Sequence, residues 1–272
     1  MYSENDDCLP FLKWAGGKRW LVSRHASIFP ENYNTYIEPF LGSGAVFFKL
    51  APHKAILADI NKELIATYRA IKKDWYEVFA RLQKHHELFN KDYYYKIRNS
   101  KPQNLYDRAA RLIFLNRTCW NGLYRVNLKG VFNVPIGTKN SIIQGDDDFG
   151  KISKFLKRAK LYDDDFEVII DKAGADDFIF VDPPYTVRHD DNGFIKYNEK
   201  LFNWDDQVRL RNCLLRAKLR GSKIVIANAA HSSVRNLYKD DFKINELQRY
   251  SIIAANSSNR KPCKELVITS DL

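Results

Sequence analysis

Cysteine is scarce and scattered: Cys8, Cys119, Cys213 and Cys263 are the only four in 272 residues. No Cys-x-x-Cys pair occurs, so the sequence signals neither a zinc site nor a disulfide framework. The six histidines include adjacent His85 and His86, but no Cys or His follows them at ligand spacing, and no metal is expected. Apolar runs approaching the roughly 20 residues of a membrane span are missing. The leading "MYSENDDCLP" has neither the basic nor the apolar region of a signal peptide. Internal repeats and low-complexity tracts are absent too. What these absences leave is a chain expected to be soluble, cytoplasmic and monomeric, with one large domain or one domain carrying an insertion.

Charge is abundant, and unevenly placed. The formal net charge is +11. Between Lys91 and Lys139 ten Lys or Arg stand against Asp92 and Asp107, a local net of +8. Eight aromatic residues, Tyr93, Tyr94, Tyr95, Tyr106, Phe114, Trp120, Tyr124 and Phe132, are interleaved with those cations. Cations neutralise phosphates and rings stack on bases, so this stretch points to nucleic acid rather than to a merely solvated face.

Along the chain, short β-rich runs alternate with helical patterns. "TYIEPF", "KAILAD", "EVII", "FIFVD", "KIVIAN" and "ELVITS" have the length and composition of strands in a mostly buried sheet. "WDDQVRLRNCLLRAKLR" reads as a helix with Asn203 as N-cap, acids in its first turn, cations in its last and Gly221 just beyond. The alternation predicts an α/β sheet, mainly parallel. From about Asn61 to Asp146 it is interrupted by "ELIATYRAIKKDWYEVFARLQKHHELF" and "NLYDRAARLIFLNRT", both helical, and by the turn-rich "NGLYRVNLKGVFNVPIG". The expected division is residues 1–61 with 147–272 as one domain and 62–146 as an inserted, mainly helical, basic domain.

Several short motifs carry chemistry. In "EPFLGSG", Gly42 and Gly44 allow a sharp turn and close approach of backbone to a ligand at the sheet's carboxyl edge. The pattern is not Gly-x-Gly-x-x-Gly, because Phe47 takes the third glycine position, and it lacks the Lys-Ser or Lys-Thr of a phosphate loop. Asp59 ends the next strand; a carboxylate there either accepts from two ribose hydroxyls or caps the helix of "DINKELI". "FLKWAGGKRW" gathers Lys13, Trp14 and Lys18 around two glycines.

"FVDPPY" is the most specific of them. An exocyclic amine on a base is a poor nucleophile, since its lone pair is delocalised into the ring. Hydrogen bonds from its two N–H groups to the Asp182 carboxylate and a proline carbonyl would draw the nitrogen toward tetrahedral geometry and free the lone pair to attack a methyl group. Pro183 and Pro184 hold the backbone extended and present no competing donor. Tyr185 can stack on a base taken out of the duplex.

Taken in order, "FLKWAGGK", "EPFLGSG", "AD", "FLNRTCWNGLYRVNLKGVFNVPIG" and "VDPPY" closely resemble the Dam-type DNA adenine-N6 methyltransferases, over essentially the whole chain. The resemblance implies a Rossmann-like methyltransferase sheet with an inserted DNA-recognition domain. It implies S-adenosylmethionine as cofactor, bound through Trp14, Lys18, Phe40, Gly42, Gly44, Asp59 and Asp182, and catalysis by Asp182, Pro183, Pro184 and Tyr185. For double-stranded DNA it implies Arg117 on phosphate, and Trp120 and Asn121 in the space left by the extruded base. Lys13, Leu123, Arg125, Asn127, Pro135 and Lys139 would make further DNA contacts. Two positions depart from the pattern: Lys139 follows the glycine of "IGTKN" where an aromatic is usual, and Trp120 replaces Tyr or Phe.

The expectation is therefore adenine-N6 methylation in duplex DNA, within GATC, with a restriction enzyme as a possible genetic partner. Its rivals are methylation of cytosine N4 or RNA by the same chemistry, and a DNA-binding regulator that keeps the fold without turnover. An Asn usually opens the motif in RNA enzymes, and Asp182 disfavours them.

Overall fold

The computed structural model describes residues 8–14, 16–122, 124–127, 130–186, 202–250 and 262–270. In chain order the elements are α1 (Arg19–Arg24), β1 (Tyr36–Glu38), α2 (Ala45–Leu50), β2 (Ala55–Ala58), α3 (Lys62–Glu87), α4 (Lys91–Asn99) and α5 (Leu105–Thr118). There follow α6 (Phe149–Lys157), β3 (Ala159–Tyr162), α7 (Phe166–Ile170), β4 (Phe178–Val181), α8 (Trp204–Leu219), β5 (Lys223–Ala229), α9 (Ser232–Tyr238), β6 (Lys243–Tyr250) and β7 (Pro262–Thr269).

The strands form a seven-stranded sheet in the order β3-β2-β1-β4-β5-β7-β6. The pairs β2–β3, β1–β4 and β4–β5 are parallel. β7 runs antiparallel to both β5 and β6. This is the Rossmann-like α/β fold that the alternation of elements predicts.

Two compact units make up the chain, Met1–Ala26 with Leu41–Asp163, and Ser27–Phe40 with Asp164–Leu272. The expected division at 62–146 follows the helical pattern and basic charge of that stretch rather than its packing, and is kept as a proposal.

In the first unit, β2 and β3 align from Ala55↔Ala159 to Ala58↔Tyr162. The long α3 packs on α5 and α6. Leu64, Tyr68, Ile71, Val78 and Leu82 recur every three, four or seven residues and form its buried stripe. One break interrupts it: Asp74 has φ −155° and ψ 95°. Its Oδ1 accepts from Tyr76 N at 3.1 Å and Glu77 N at 3.3 Å, so a second helical segment is capped from inside the first.

The second unit is built on β4, whose four residues are all buried between β1 and β5. Phe29, Tyr33 and Tyr36 pack on Phe178. α8 starts as expected at a capping box, with Asn203 Oδ1 accepting from Asp206 N and Asp206 Oδ2 accepting from Asn203 N. It ends before Gly221, whose φ is +88°.

Three elements differ from expectation. "EVII" is helix, not strand: Asp165 Oδ1 accepts from Glu167 N at 2.9 Å, and Phe166, Ile169 and Ile170 are buried at helical spacing. A four-residue apolar run does not distinguish the two states. The strand of that region is β3, "AKLY", with one fully buried residue in four. β6, "KINELQRY", was also missed, because it is mostly exposed and pairs through backbone rather than through an apolar face.

Candidate functional site

In the first unit the glycine turn is locked from three sides. Gly42 and Gly44 have φ of +49° and +65°, a region that favours glycine. Leu41 N donates to Ala58 O at 2.8 Å, tying the turn to the end of β2. Gly42 N donates to Asp59 Oδ2 at 3.0 Å and the Tyr68 hydroxyl to Gly42 O at 3.0 Å. A methyl group on Gly42 would meet Trp14 Cδ1 at 2.9 Å, so the indole fills the space a side chain would take.

Asp59 is not the cap of α3. Asn61 Oδ1 accepts from Leu64 N at 3.1 Å and takes that role. Asp59 Oδ1 accepts instead from Asn61 N at 2.9 Å. Burial pushes its carboxyl above the usual range, while the bonds from Asn61 and Gly42 oppose the shift. Each carboxylate oxygen engages one backbone N–H and has a second lone pair for a further donor. Lys18 is buried, with Nζ donating to Gly16 O at 2.7 Å.

The segment before Trp14 is held by α5. Asn116 Oδ1 accepts from Lys13 N at 2.9 Å, and its Nδ2 donates to Lys13 O at 2.6 Å. Sequence reading passed over Asn116, although it opens the "NRTCWNGLY" stretch. After α5 the chain doubles back as a hairpin. Cys119 bridges Ile136, Val126 bridges Phe132, and Asn127 N donates to Val131 O at 2.9 Å. Asn127 Oδ1 also closes the turn, accepting from Val131 N at 3.0 Å. Asn121, Arg125, Pro135 and Lys139 are exposed on this hairpin, and Trp120 is 52% exposed. Leu123 lies outside the described residues.

Arg117 corrects an expectation. It was assigned to phosphate, but it is 1% exposed. Its guanidinium binds both Asp147 oxygens at 2.6 Å, Ile142 O at 2.6 Å and Phe11 O at 2.9 Å. The remaining donor, Nε, is buried as well. A group so enclosed stitches the chain together and offers nothing to a phosphate. Asp147 carries no local signal, since the pairing spans thirty positions.

In the second unit, β1 and β4 are parallel neighbours, and Asp182, Pro183, Pro184 and Tyr185 follow β4 directly. Pro183 is buried, whereas Asp182, Pro184 and Tyr185 are half-buried. Thr186 anchors the segment's far end through Oγ1, which donates to Phe202 O at 2.5 Å. Phe40 stacks on Phe166 with ring centroids 5.5 Å apart and planes at 27°. Arg209 covers Phe166 at 4.1 Å and pairs with Asp165. Phe166 was overlooked because it immediately precedes "EVII", the run read as a strand.

Among the described residues no group of three or more His, Cys, Asp or Glu is gathered as a metal site requires, and no helix is long and apolar enough to cross a membrane.

A Rossmann-like sheet, with a glycine turn and acid at one strand end and Asp-Pro-Pro-Tyr at another, defines a methyltransferase-type architecture. Residues 14–252 match the family described as D12 class N6 adenine-specific DNA methyltransferase. The chain is 37% identical to the Type II methyltransferase M1.LlaDCHI of Lactococcus lactis subsp. cremoris, covering 96% of this chain and 95% of that one. It is 36% identical to the Type II methyltransferase M.MjaIII of Methanocaldococcus jannaschii, covering 93% and 95%. With a DNA adenine methylase of Haemophilus influenzae it shares 32% identity, over 95% and 92% of the two chains. The protein belongs to the D12 class of N6 adenine-specific DNA methyltransferases.

The Arg117–Asp147 pair makes a direct prediction about stability. Arg117→Ala strands a nearly buried carboxylate, and should cost about 3–5 kcal/mol. Urea unfolding followed by circular dichroism measures this. An unchanged midpoint would return Arg117 to the surface role first expected of it.

Proposed function

We propose that this enzyme methylates adenine N6 in duplex DNA within GATC, with S-adenosylmethionine as methyl donor. The observation that carries the reading is Asp182-Pro183-Pro184-Tyr185 at the carboxyl end of a fully buried strand. S-adenosylmethionine supplies a methyl group on positively charged sulfur. The chain's own part is to orient and activate the amine. Asp182 accepts one amine N–H, a proline carbonyl accepts the other, and Tyr185 stacks on the extruded base. No covalent intermediate with the chain is required.

The residues of the glycine turn fit the cofactor. Gly42 leaves no room for a side chain beside Trp14, and Asp59 retains lone pairs for ribose hydroxyls. We assign Lys18, Gly44 and Phe40 to the cofactor as well. We assign DNA contacts to Lys13, Trp120, Asn121, Leu123, Arg125, Asn127, Pro135 and Lys139, in a target-recognition segment at 62–146. The Type II names of two relatives support a restriction enzyme as genetic partner.

Sequencing of modified bases in DNA from expressing cells tests the reading as a whole. It should find N6-methyladenine at GATC on both strands. N4-methylcytosine, modified RNA, or no modification at all would each overturn it in favour of a rival. Within that reading, Asp182→Ala and Asp182→Asn should each lower methyl transfer by on the order of 10²–10³ or more, with DNA binding retained. Near-normal turnover in either variant removes the mechanism.

Arg125 carries the sequence readout, because an arginine can donate twice to guanine O6 and N7 in the major groove. Arg125→Ala should lose about 1–3 kcal/mol of discrimination at one base pair. Oligonucleotides carrying each single substitution of GATC measure it, and equal losses on every sequence would reduce Arg125 to a phosphate contact.

Lys13 adds a pH dependence. Burial, and then the neighbouring Lys139 ammonium, push its amine down to about 8. Below that pH Lys13 is protonated and can donate to an acceptor on DNA; above it the charge is lost. DNA affinity should therefore fall as pH rises from about 7 to about 9. In Lys139→Gln the repulsion is gone, so the fall should move to higher pH. Fluorescence anisotropy at constant ionic strength compares the two, and coincident profiles would refute the coupling.

A further inference from the structure

The first unit holds a file of aromatic contacts that the proposed chemistry does not use. It begins at Gly42, where Trp14 Cδ1 occupies the place of a side chain. The Trp14 indole stacks on Tyr124, with centroids 5.9 Å apart and planes at 20°. Tyr124 stacks in turn on Phe132, at 4.7 Å and 28°. Phe132 is 5% exposed and bridges Val126, so it is fixed in the hairpin whose next residue after Tyr124 is Arg125.

Both ends of this file are held. Gly42 cannot yield, since its N–H is bound to Asp59 and its carbonyl to Tyr68. The backbone beside Trp14 is clamped at Lys13 by Asn116 through two hydrogen bonds. Burial pushes the Tyr124 hydroxyl up, opposed by the nearby Arg111 charge, and Arg111 is itself fixed by donating to Ile97 O and Arg98 O of α4. A ring held in this way moves little on its own. A change in the indole plane must either displace Tyr124 or break the stack, and close-packed interiors respond by discrete rearrangement rather than by yielding.

We infer that Tyr124 is a positioning residue that couples occupancy of the cofactor segment at Gly42 and Trp14 to the setting of the hairpin that carries Arg125. The inference rests on the proposed function, which puts S-adenosylmethionine at the first and DNA at the second. Coupling of this kind is reciprocal: a cofactor that tightens DNA binding by some factor is itself bound tighter on DNA by the same factor. The stack, not the hydroxyl, transmits the change. Phenylalanine at this position therefore suffices and leucine does not.

The test is a binding cycle on the full chain, with S-adenosylhomocysteine as unreactive cofactor and a GATC duplex as DNA. DNA affinity is measured by anisotropy with and without the cofactor, and cofactor affinity by calorimetry with and without DNA. In the unaltered protein each ligand should tighten the other by at least about fivefold. Tyr124→Leu should bring that factor close to one, while cofactor affinity in the absence of DNA stays within about twofold. Tyr124→Phe should keep it. Phe132→Leu, which leaves the Trp14–Tyr124 stack in place, is the second probe and should also lose coupling; circular dichroism confirms that each variant is folded. Undiminished coupling in Tyr124→Leu or in Phe132→Leu overturns the inference, as does equal loss in Tyr124→Phe and Tyr124→Leu. An unaltered protein that binds both ligands without coupling overturns it too and leaves the proposed function standing. Failure of the unaltered protein to bind either ligand takes down both.

Discussion

A single buried guanidinium fixes the geometry on which the first unit depends. Arg117 leaves the last turn of α5 and meets two separate pieces of chain, Phe11 in one and Ile142 and Asp147 in the other. Without Asp147 its charge would sit unpaired in the interior, a state costing several kcal/mol. With it, the N-terminal segment and the chain returning from the hairpin are both pinned to one helix end. Everything between those anchors inherits their position. Lys13 and Trp14 follow Phe11 closely, and the hairpin lies between Arg117 and Ile142. A side chain that touches neither methyl group nor base thus sets where the glycine turn's indole and the hairpin's arginine can be.

The second unit achieves order by other means. β4 is sealed on both faces and flanked by parallel neighbours, so the residue after its last buried position has almost no freedom. Two prolines extend that rigidity past the strand end. The proposed mechanism forms no bond between chain and substrate, so its rate must come from placement and fixed dipoles. A stiff backbone with an acceptor and no donor satisfies that need better than a mobile loop would.

How much of this was legible in sequence depended on how local each signal is. The glycine turn, the Asp-Pro-Pro-Tyr segment and the α8 cap were readable because each is complete within a few residues. Strands buried on both faces announced themselves through unbroken apolar runs. β3 and β6 did not, because an edge strand holds its place by backbone pairing and can be polar on its outer face. "EVII" misled for the opposite reason, as a run that is equally apolar in either state until Asp165 is recognised as its cap. Asp59 and Asn61 compete for one cap within three residues, and only the bond from Leu64 N decides between them. The Arg117–Asp147 pair and the Trp14–Tyr124 stack could not be read at all, since each joins positions that only the folded chain brings together.

The basic stretch shows why charge counting overstates a footprint on DNA. Of its ten cations, several are already engaged within the fold. Arg117 is buried, Arg108 pairs with Glu63, Arg111 donates to two carbonyls, and Arg98 lies over the Tyr95 ring at 4.6 Å. Arg108 ties α5 to α3, and Arg111 ties α5 to α4. Lys91, Lys96, Lys101, Arg125 and Lys139 are the exposed remainder among the described residues. An arginine suits internal carbonyls and carboxylates because its donors are planar and fixed, while lysine is better kept in water. The division follows that rule, with arginines mostly inward and lysines outward. Arg125 is the exception, an exposed arginine on a braced hairpin. Exposure leaves its planar pair of donors solvated and accessible, which is what the proposed readout of a guanine edge requires.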